Sequence, residues 1–323
     1  MSIEVNVTSA DTPRITFDEA RKKINEMNLI NGFLFDSVLE DEETGSIVVK
    51  AILDTVLDMD VPIDHIRSQK SLFGLDSIYH GIRFDVYIDK IQPKGINTTI
   101  YDIEMEDREP DKEELPKRGR YYLGISDSKR LPTGHSYLEL SDYVSVTILS
   151  YDPFGAGDMY YFVKSVITTH PEIEYKEGVR RIFLYGKGKN NLVSNPKYGE
   201  KLQELIIYIV TGEKSENPSP VVTQLDEIVS GTKEKAEVTK KYMQAWDREE
   251  HIRRDALNEG EMRKLIKQIT RKMVKGKNVN EIAEDLDEDL ETVIGIHEIA
   301  KDFAPEYDVS KIFNAMTSIS VTR

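Results

Sequence analysis

Acidic side chains within Gly81–Glu106, GIRFDVYIDKIQPKGINTTIYDIEME, have the types and spacing to hold a hard cation. The stretch reads as two strands joined by a Gly-containing connection. Successive strand side chains point in opposite directions, so Tyr101, Ile103 and Met105 share one face while Asp102, Glu104 and Glu106 share the other. On the first strand Phe84, Val86 and Ile88 form an apolar set, and Asp85, Tyr87 and Asp89 point away from it. Paired as a hairpin-like ribbon, the strands send their apolar faces into one core and bring Asp85 toward Glu104 on the opposite face. Magnesium is usually held by one or two carboxylates, with water and phosphate oxygens in the remaining positions, so a neighbouring pair suffices. Acidic residues on the polar face of a half-exposed strand also make an ordinary solvated surface, and alternation is compatible with both readings.

The ribbon needs elements to position it. A helix is expected from Thr16, which has Glu19 at the capping-box spacing, and a second across Phe33–Leu39. After the acidic cluster Glu40–Glu43, the residues Ile47, Val48, Ala51, Ile52, Thr55 and Val56 follow a helical period and predict a helix over Thr44–Leu57. Glu43 then sits at its N-terminal end, where a carboxylate interacts favourably with the helix dipole. His65–Phe73 is a strand candidate followed by the turn-like Gly74–His80. Asp107–Glu114, with Pro110, reads as an exposed loop. Pro116 suits a helix start, and the segment Lys117–Lys129 puts Arg118 and Tyr122 on one side, where the arginine can reach a carboxylate or a phosphate.

Tyr143–Leu149 and Met159–Val166 are β-rich. The loop between them, from Asp152 to Gly157, invites a nucleotide reading but lacks the Lys-Ser/Thr ending of a phosphate-binding loop, which favours a hairpin connection. The same holds for Gly186–Asn191 after the short strand Arg181–Tyr185. From about residue 196 the character is helical: amphipathic Tyr198–Val210, a linker at Glu213–Pro220, then a long charged run from Val221 through Tyr242 and Trp246. Arg263–Lys277 is strongly basic. Val279–Ile294 has the outline of a short helix, a turn and a second helix of the DNA-reading kind, but its acidic surface favours a coiled-coil or oligomerising arm. Asp285–Glu291 lacks the turn glycine of a calcium loop.

With 323 residues the chain can bury a full core and add a smaller second unit. The absence of cysteine excludes disulfides, thiolate zinc sites and a cysteine nucleophile. No basic start with an apolar run marks a signal peptide and no window reaches membrane-spanning length, so a soluble cytoplasmic protein without a membrane partner is expected. A net charge of −15 opposes loose binding to nucleic acid by the molecule as a whole, so any such contact must use a local basic patch.

An ordered set of motifs runs through the first half: Phe35-Asp-Ser-Val-Leu-Glu-Asp-Glu-Glu43, Arg83-Phe-Asp-Val-Tyr87, Tyr101-Asp-Ile-Glu-Met105 and Leu115-Pro-Lys-Arg-Gly-Arg-Tyr-Tyr122. It continues through Gly134-His-Ser-Tyr137, Tyr143-Val-Ser-Val-Thr-Ile148 and Asp152-Pro-Phe-Gly155. In order and spacing the set resembles the PD-(D/E)xK nuclease family transposases, the Rpn family of recombination-promoting nucleases, from about residue 31 to 165. The resemblance implies an α/β, restriction-endonuclease-like fold: a mixed central sheet flanked by helices, here with a helical C-terminal extension. The division it implies is a lead and helix at 1–30, a nuclease-like domain at 31–195 and a helical region at 196–323.

It also implies an endonuclease acting on DNA with Mg2+, or Mn2+ in its place. The family's strand aspartate falls on Asp85, its third-motif carboxylate on Glu104, and its upstream helix glutamate on Glu43, with Glu42 as the off-by-one alternative. Arg118 and Tyr122, or Tyr121, fall where the family has a supporting arginine and tyrosine. Lys117, Arg118 and Arg120 are the local phosphate contacts. The family usually has Gln, and the wider superfamily Lys, where this chain has Glu106; a carboxylate there must act as a metal ligand or base, or else impair the reaction. The alternative is a nuclease-fold protein that binds DNA or a protein partner without cutting. Homo-oligomerisation is expected through the C-terminal helices.

Overall fold

A computed structural model describes residues 15–62, 67–72, 82–89, 99–109 and 113–321. Residues 1–14 of the polar lead, the turn at 74–80, the connection at 90–98 and Pro110 lie outside them. The elements in chain order are α1 Phe17–Glu26, α2 Gly32–Leu39, α3 Glu42–Leu57, β1 Arg67–Leu72, β2 Ile82–Asp89, β3 Thr99–Glu106 and α4 Glu114–Arg130. After a single 3-10 turn at Tyr137–Glu139 come β4 Asp142–Leu149, β5 Tyr160–Val163, β6 Val179–Tyr185, α5 Pro196–Thr211 and α6 Pro220–Glu234. Four helices close the chain: α7 Ala236–Val274, α8 Val279–Leu286, α9 Leu290–Lys301 and α10 Val309–Val321.

Caps set several of the boundaries. The Asn31 side chain accepts the N–H groups of Phe33 and Leu34, which starts α2. Asp41 accepts the N–H of Thr44 at 2.9 Å, so α3 begins at Glu42, two residues earlier than the apolar period alone indicates. The period locates the buried stripe, whereas the cap decides where the helix opens.

The described strands form one mixed sheet in the order β1-β2-β3-β4-β6-β5. β1, β2 and β3 pair antiparallel, as the ribbon reading requires; β3, β4 and β6 are parallel, and β5 returns antiparallel on β6. The expected hairpin between β4 and β5 is therefore not formed. β6 lies between them because the parallel ladder from Tyr143↔Val179 to Leu149↔Tyr185 takes the free edge of β4. The glycine-rich loop after β4 is instead folded on itself: the N–H groups of Phe154, Gly155 and Gly157 and the hydroxyl of Tyr161 all donate to Asp152. An anion nest filled by its own carboxylate has no room for a phosphate.

Alternation divides the sheet into two faces. Val86, Ile88, Ile103, Val144, Val146, Ile148, Ile182 and Leu184 join the main core with the apolar sides of α2, α3, α5 and α6. On the other face α4 packs Leu115 and Ile125 near Tyr87, Ile100, Tyr143, Leu149 and Phe183. Helices thus flank a mixed sheet on both sides, and β4 is buried along nearly its whole length, as a central parallel strand should be.

Residues Phe17–Tyr242 form one compact unit, and the chain from Met243 belongs to another. The boundary expected at 195/196 is displaced because α5 and α6 bury Leu202, Leu205, Ile206, Ile209, Val222 and Leu225 in the core of the sheet, and α1 packs against α6. In the second unit the end of α7 contributes Ile266 and Ile269 to a core shared with Ile282, Ala283, Val293, Ile296, Ala300 and Ile312. The short helix, turn and second helix outlined at Val279–Ile294 are present as α8 and α9, with Asn278 and Glu281 forming a capping box and Asp287 taking the left-handed conformation. Among the described residues no helix is long and apolar enough to cross a membrane.

Candidate functional site

The polar face of β2 and β3, beside α4, gathers the acidic residues. The β2–β3 ladder runs from Asp89↔Ile100 to Val86↔Ile103. At Asp85 side chains take over the pairing: its N–H donates to Glu104 Oε1 at 3.4 Å, and the Met105 N–H donates to Asp85 Oδ2 at 3.0 Å. Each carboxylate is therefore tied to the backbone of the strand opposite, so Asp85 and Glu104 are neighbours held from both sides. This is the juxtaposition that alternation on the two strands predicts.

Asp102, two residues before Glu104 on the same face, is 2% exposed. Its Oδ2 accepts the Tyr143 hydroxyl at 2.7 Å, while Oδ1 is buried with no hydrogen-bond donor. Burial pushes its pKa up to about 7, against the opposing pull of the Tyr143 hydroxyl. Glu104 keeps part of its residue surface accessible, but its carboxyl lies inside. Burial, and after it the charges of Asp102 and Asp85, hold its pKa well above the ordinary carboxylate range. Carboxyls this close in an interior cannot all ionise cheaply, so their protonated forms are favoured. Burial likewise raises Tyr143, with Asp102 adding to the shift. Tyr122 is pushed up to about 12 by burial, then by Glu104.

Glu106 faces the same side but is committed elsewhere: it forms an ion pair with Arg118 of α4, with the two side chains 17% and 28% exposed. The Arg118 charge also favours the ionised forms of Glu104 and Asp102. Between α4 and the strands lies a cavity of 30 Å³, lined among others by Asp102, Glu104, Arg118, Tyr122, Tyr143 and Ser145. That is room for one or two water molecules, or a small ion, but not for a nucleotide.

The remaining sequence-derived site residues are not part of this cluster. Glu43 is exposed in the first turn of α3, a helix whose apolar side packs on the opposite face of the sheet. Among the described residues no three acidic or histidine groups converge closely enough to hold a metal together. Lys117 points outward and pairs with Glu113 at 3.1 Å, and Arg120 is exposed. Asp102 and its partner Tyr143 are the residues whose part sequence reasoning missed. Alternation placed Asp102 on the right face, but the contact with Tyr143 depends on the parallel β3–β4 register, in which Ile100 lies opposite Tyr143 and Asp102 opposite Ser145.

No family model, curated protein or solved structure matches the chain.

The donor set suits a hard divalent cation in part. Asp85 and Glu104 supply adjacent carboxylates, and Asp102 on the same face has one buried oxygen that accepts no hydrogen bond. Without a third carboxylate from Glu43, such an ion would keep several positions for water or phosphate oxygen, which is the habit of magnesium.

Proposed function

We propose that the chain is a Mg2+-dependent DNA endonuclease of the PD-(D/E)xK transposase type, with a restriction-endonuclease-like core and Asp85 and Glu104 as the metal-holding pair. The observation that carries this reading is the reciprocal locking of Asp85 and Glu104 across β2 and β3, which fixes two carboxylates side by side, with Glu104 also lining a small cavity under α4. A bound divalent ion supplies Lewis-acid polarisation of the phosphate and lowers the pKa of a water toward neutrality.

The chain's own groups do the rest. Asp85 and Glu104 hold the ion and set its position against the strands. Asp102, steadied by Tyr143, supports Glu104 from behind and accounts for part of the negative charge that draws a cation in. Arg118 offers a guanidinium to a phosphate oxygen once Glu106 releases it, and Glu106 is then available to orient or deprotonate the attacking water.

The test is nicking of supercoiled plasmid with Mg2+ or Mn2+, comparing wild type with Asp85→Asn and Glu104→Gln, which keep acceptors for the strand hydrogen bonds. Wild type should nick, and both variants should lose at least two orders of magnitude in rate, on the order of what removal of a metal-holding or charge-stabilising group costs. Equal nicking by all three would assign the cleavage to a contaminant and end the proposal.

One observation favours a second reading, a nuclease-fold protein that binds DNA or a protein without cutting: the Arg118–Glu106 pair neutralises the position that would handle water. Calorimetric titration separates the two. Millimolar Mg2+ or Mn2+ binding that disappears in Asp85→Asn supports the enzyme, and no binding supports the non-cleaving protein.

A further inference from the structure

The stretch 261–277 carries seven cations and one carboxylate in a chain whose net charge is −15. The structure sorts these cations into two sets. Arg263 pairs with Glu259, donates to Ser310 at 3.0 Å and lies over the Phe313 ring, while Lys272 and Lys277 both clamp Asp285. These three hold the helical unit together. Lys264, Lys267 and Arg271 of α7, with Lys275 just beyond it, are all exposed and have no ion-pair partner among the described residues.

Their spacing of three, four and four puts them along one side of the helix. Like charges at these separations work against the helix, and the one carboxylate at pairing separation, Glu261 three residues before Lys264, forms no ion pair with it. The helix dipole explains only part of the pattern. It favours cations in the last turn, which covers Arg271 and Lys275, but its effect has faded two turns upstream at Lys264 and Lys267. Carboxylates of the same unit lie on the first part of α7, from Asp247 to Glu261, and again from Glu281 onward on α8, α9 and the turn between them, with none from Met262 to Asn280. The acidic excess of the chain is thus kept off this stripe.

We propose that Lys264, Lys267, Arg271 and Lys275 form a docking surface for the phosphate backbone of duplex nucleic acid, separate from the carboxylate cluster. From Lys264 to Lys275 the stripe is about 16 Å long at roughly 1.5 Å per residue, and each duplex strand offers a phosphate about every 3.4 Å of axis, so all four cations can meet phosphates at once. No aromatic side chain lies between them for base stacking, so the contact is to the backbone and indifferent to sequence. This supplies the local basic patch that so acidic a molecule needs.

The experiment measures binding of the full chain to a short labelled duplex of arbitrary sequence, without metal, over a range of salt concentrations. Wild type is compared with a variant carrying Lys264→Gln, Lys267→Gln, Arg271→Gln and Lys275→Gln, and with a charge-keeping variant in which the three lysines become Arg. All the altered side chains are exposed, and a thermal melt checks that the Ile266 and Ile269 core is intact. The slope of log K against log salt should become shallower by about 3 to 4 in the glutamine variant. It should be unchanged in the charge-keeping variant. Binding without plasmid nicking would keep this proposal and remove the endonuclease. Nicking with the same affinity and slope in wild type and glutamine variant would overturn the docking surface and leave the endonuclease standing. Failure to bind duplex, with stripe-dependent binding of polyglutamate, would overturn it in favour of an acidic protein partner.

Discussion

The two faces of one sheet have been put to opposite uses by the same strands. Along β3 the residues Tyr101, Ile103 and Met105 enter a core of aliphatic side chains from four helices, while Asp102, Glu104 and Glu106 face a single helix and a water-sized cavity. The first face holds the fold; the second gathers carboxylates whose burial the fold must tolerate. Substitutions on the two faces should accordingly differ in sign as well as size.

The largest effect is expected on the aliphatic face. Ile103 is fully buried, and Ile103→Ala should lower the free energy of unfolding by about 2–5 kcal/mol, read from denaturant melts. A loss below about 1 kcal/mol would mean that this face is not the load-carrying one. On the polar face Asp102→Asn should do the reverse. A carboxyl with a raised folded pKa makes its full contribution below the unfolded value near 4 and loses it as pH rises toward about 7, because the folded state then binds more protons than the unfolded one. Metal-free wild type should therefore lose on the order of 4 kcal/mol between pH 4 and pH 7.5 from this source. The Asn variant should show a flatter profile and be the more stable protein at pH 8. A variant less stable than wild type at pH 8 would break the contrast between the faces. The smallest effect is expected for Arg118→Met, which removes a partly exposed ion pair and should cost about 1 kcal/mol or less. Its value is diagnostic: metal affinity in titration should change far more than stability does.

Much of this arrangement is legible in the amino-acid order because it is local. Period-two alternation in Arg83–Tyr87 and Tyr101–Glu106, and antiparallel pairing across a short connection, are enough to bring Asp85 to Glu104. The helix α3 follows from apolar spacing and α4 from Pro116 at its start, with Asn31 and Asp41 deciding where α2 and α3 open. What escapes is non-local. Nothing in Tyr143–Leu149 says that Val179–Tyr185 will lie against it and separate it from Tyr160–Val163. The amphipathic stripe of α5 announces that it is buried but not that the sheet is what it covers, which is why the unit extends to Tyr242. The ion pair of Arg118 with Glu106 likewise joins two segments whose approach depends on how α4 lies on the strands.

The hand-over at the end of the β2–β3 ladder has one more consequence. Asp85 and Glu104 serve as the closing rungs of the ribbon, so their aim is decided when the chain folds and little rotamer freedom is left to lose when a ligand arrives. Capture at such a place should be quick and nearly free of rearrangement. Lengthening either side chain by one methylene, as in Asp85→Glu, should loosen the strands before it weakens the grip.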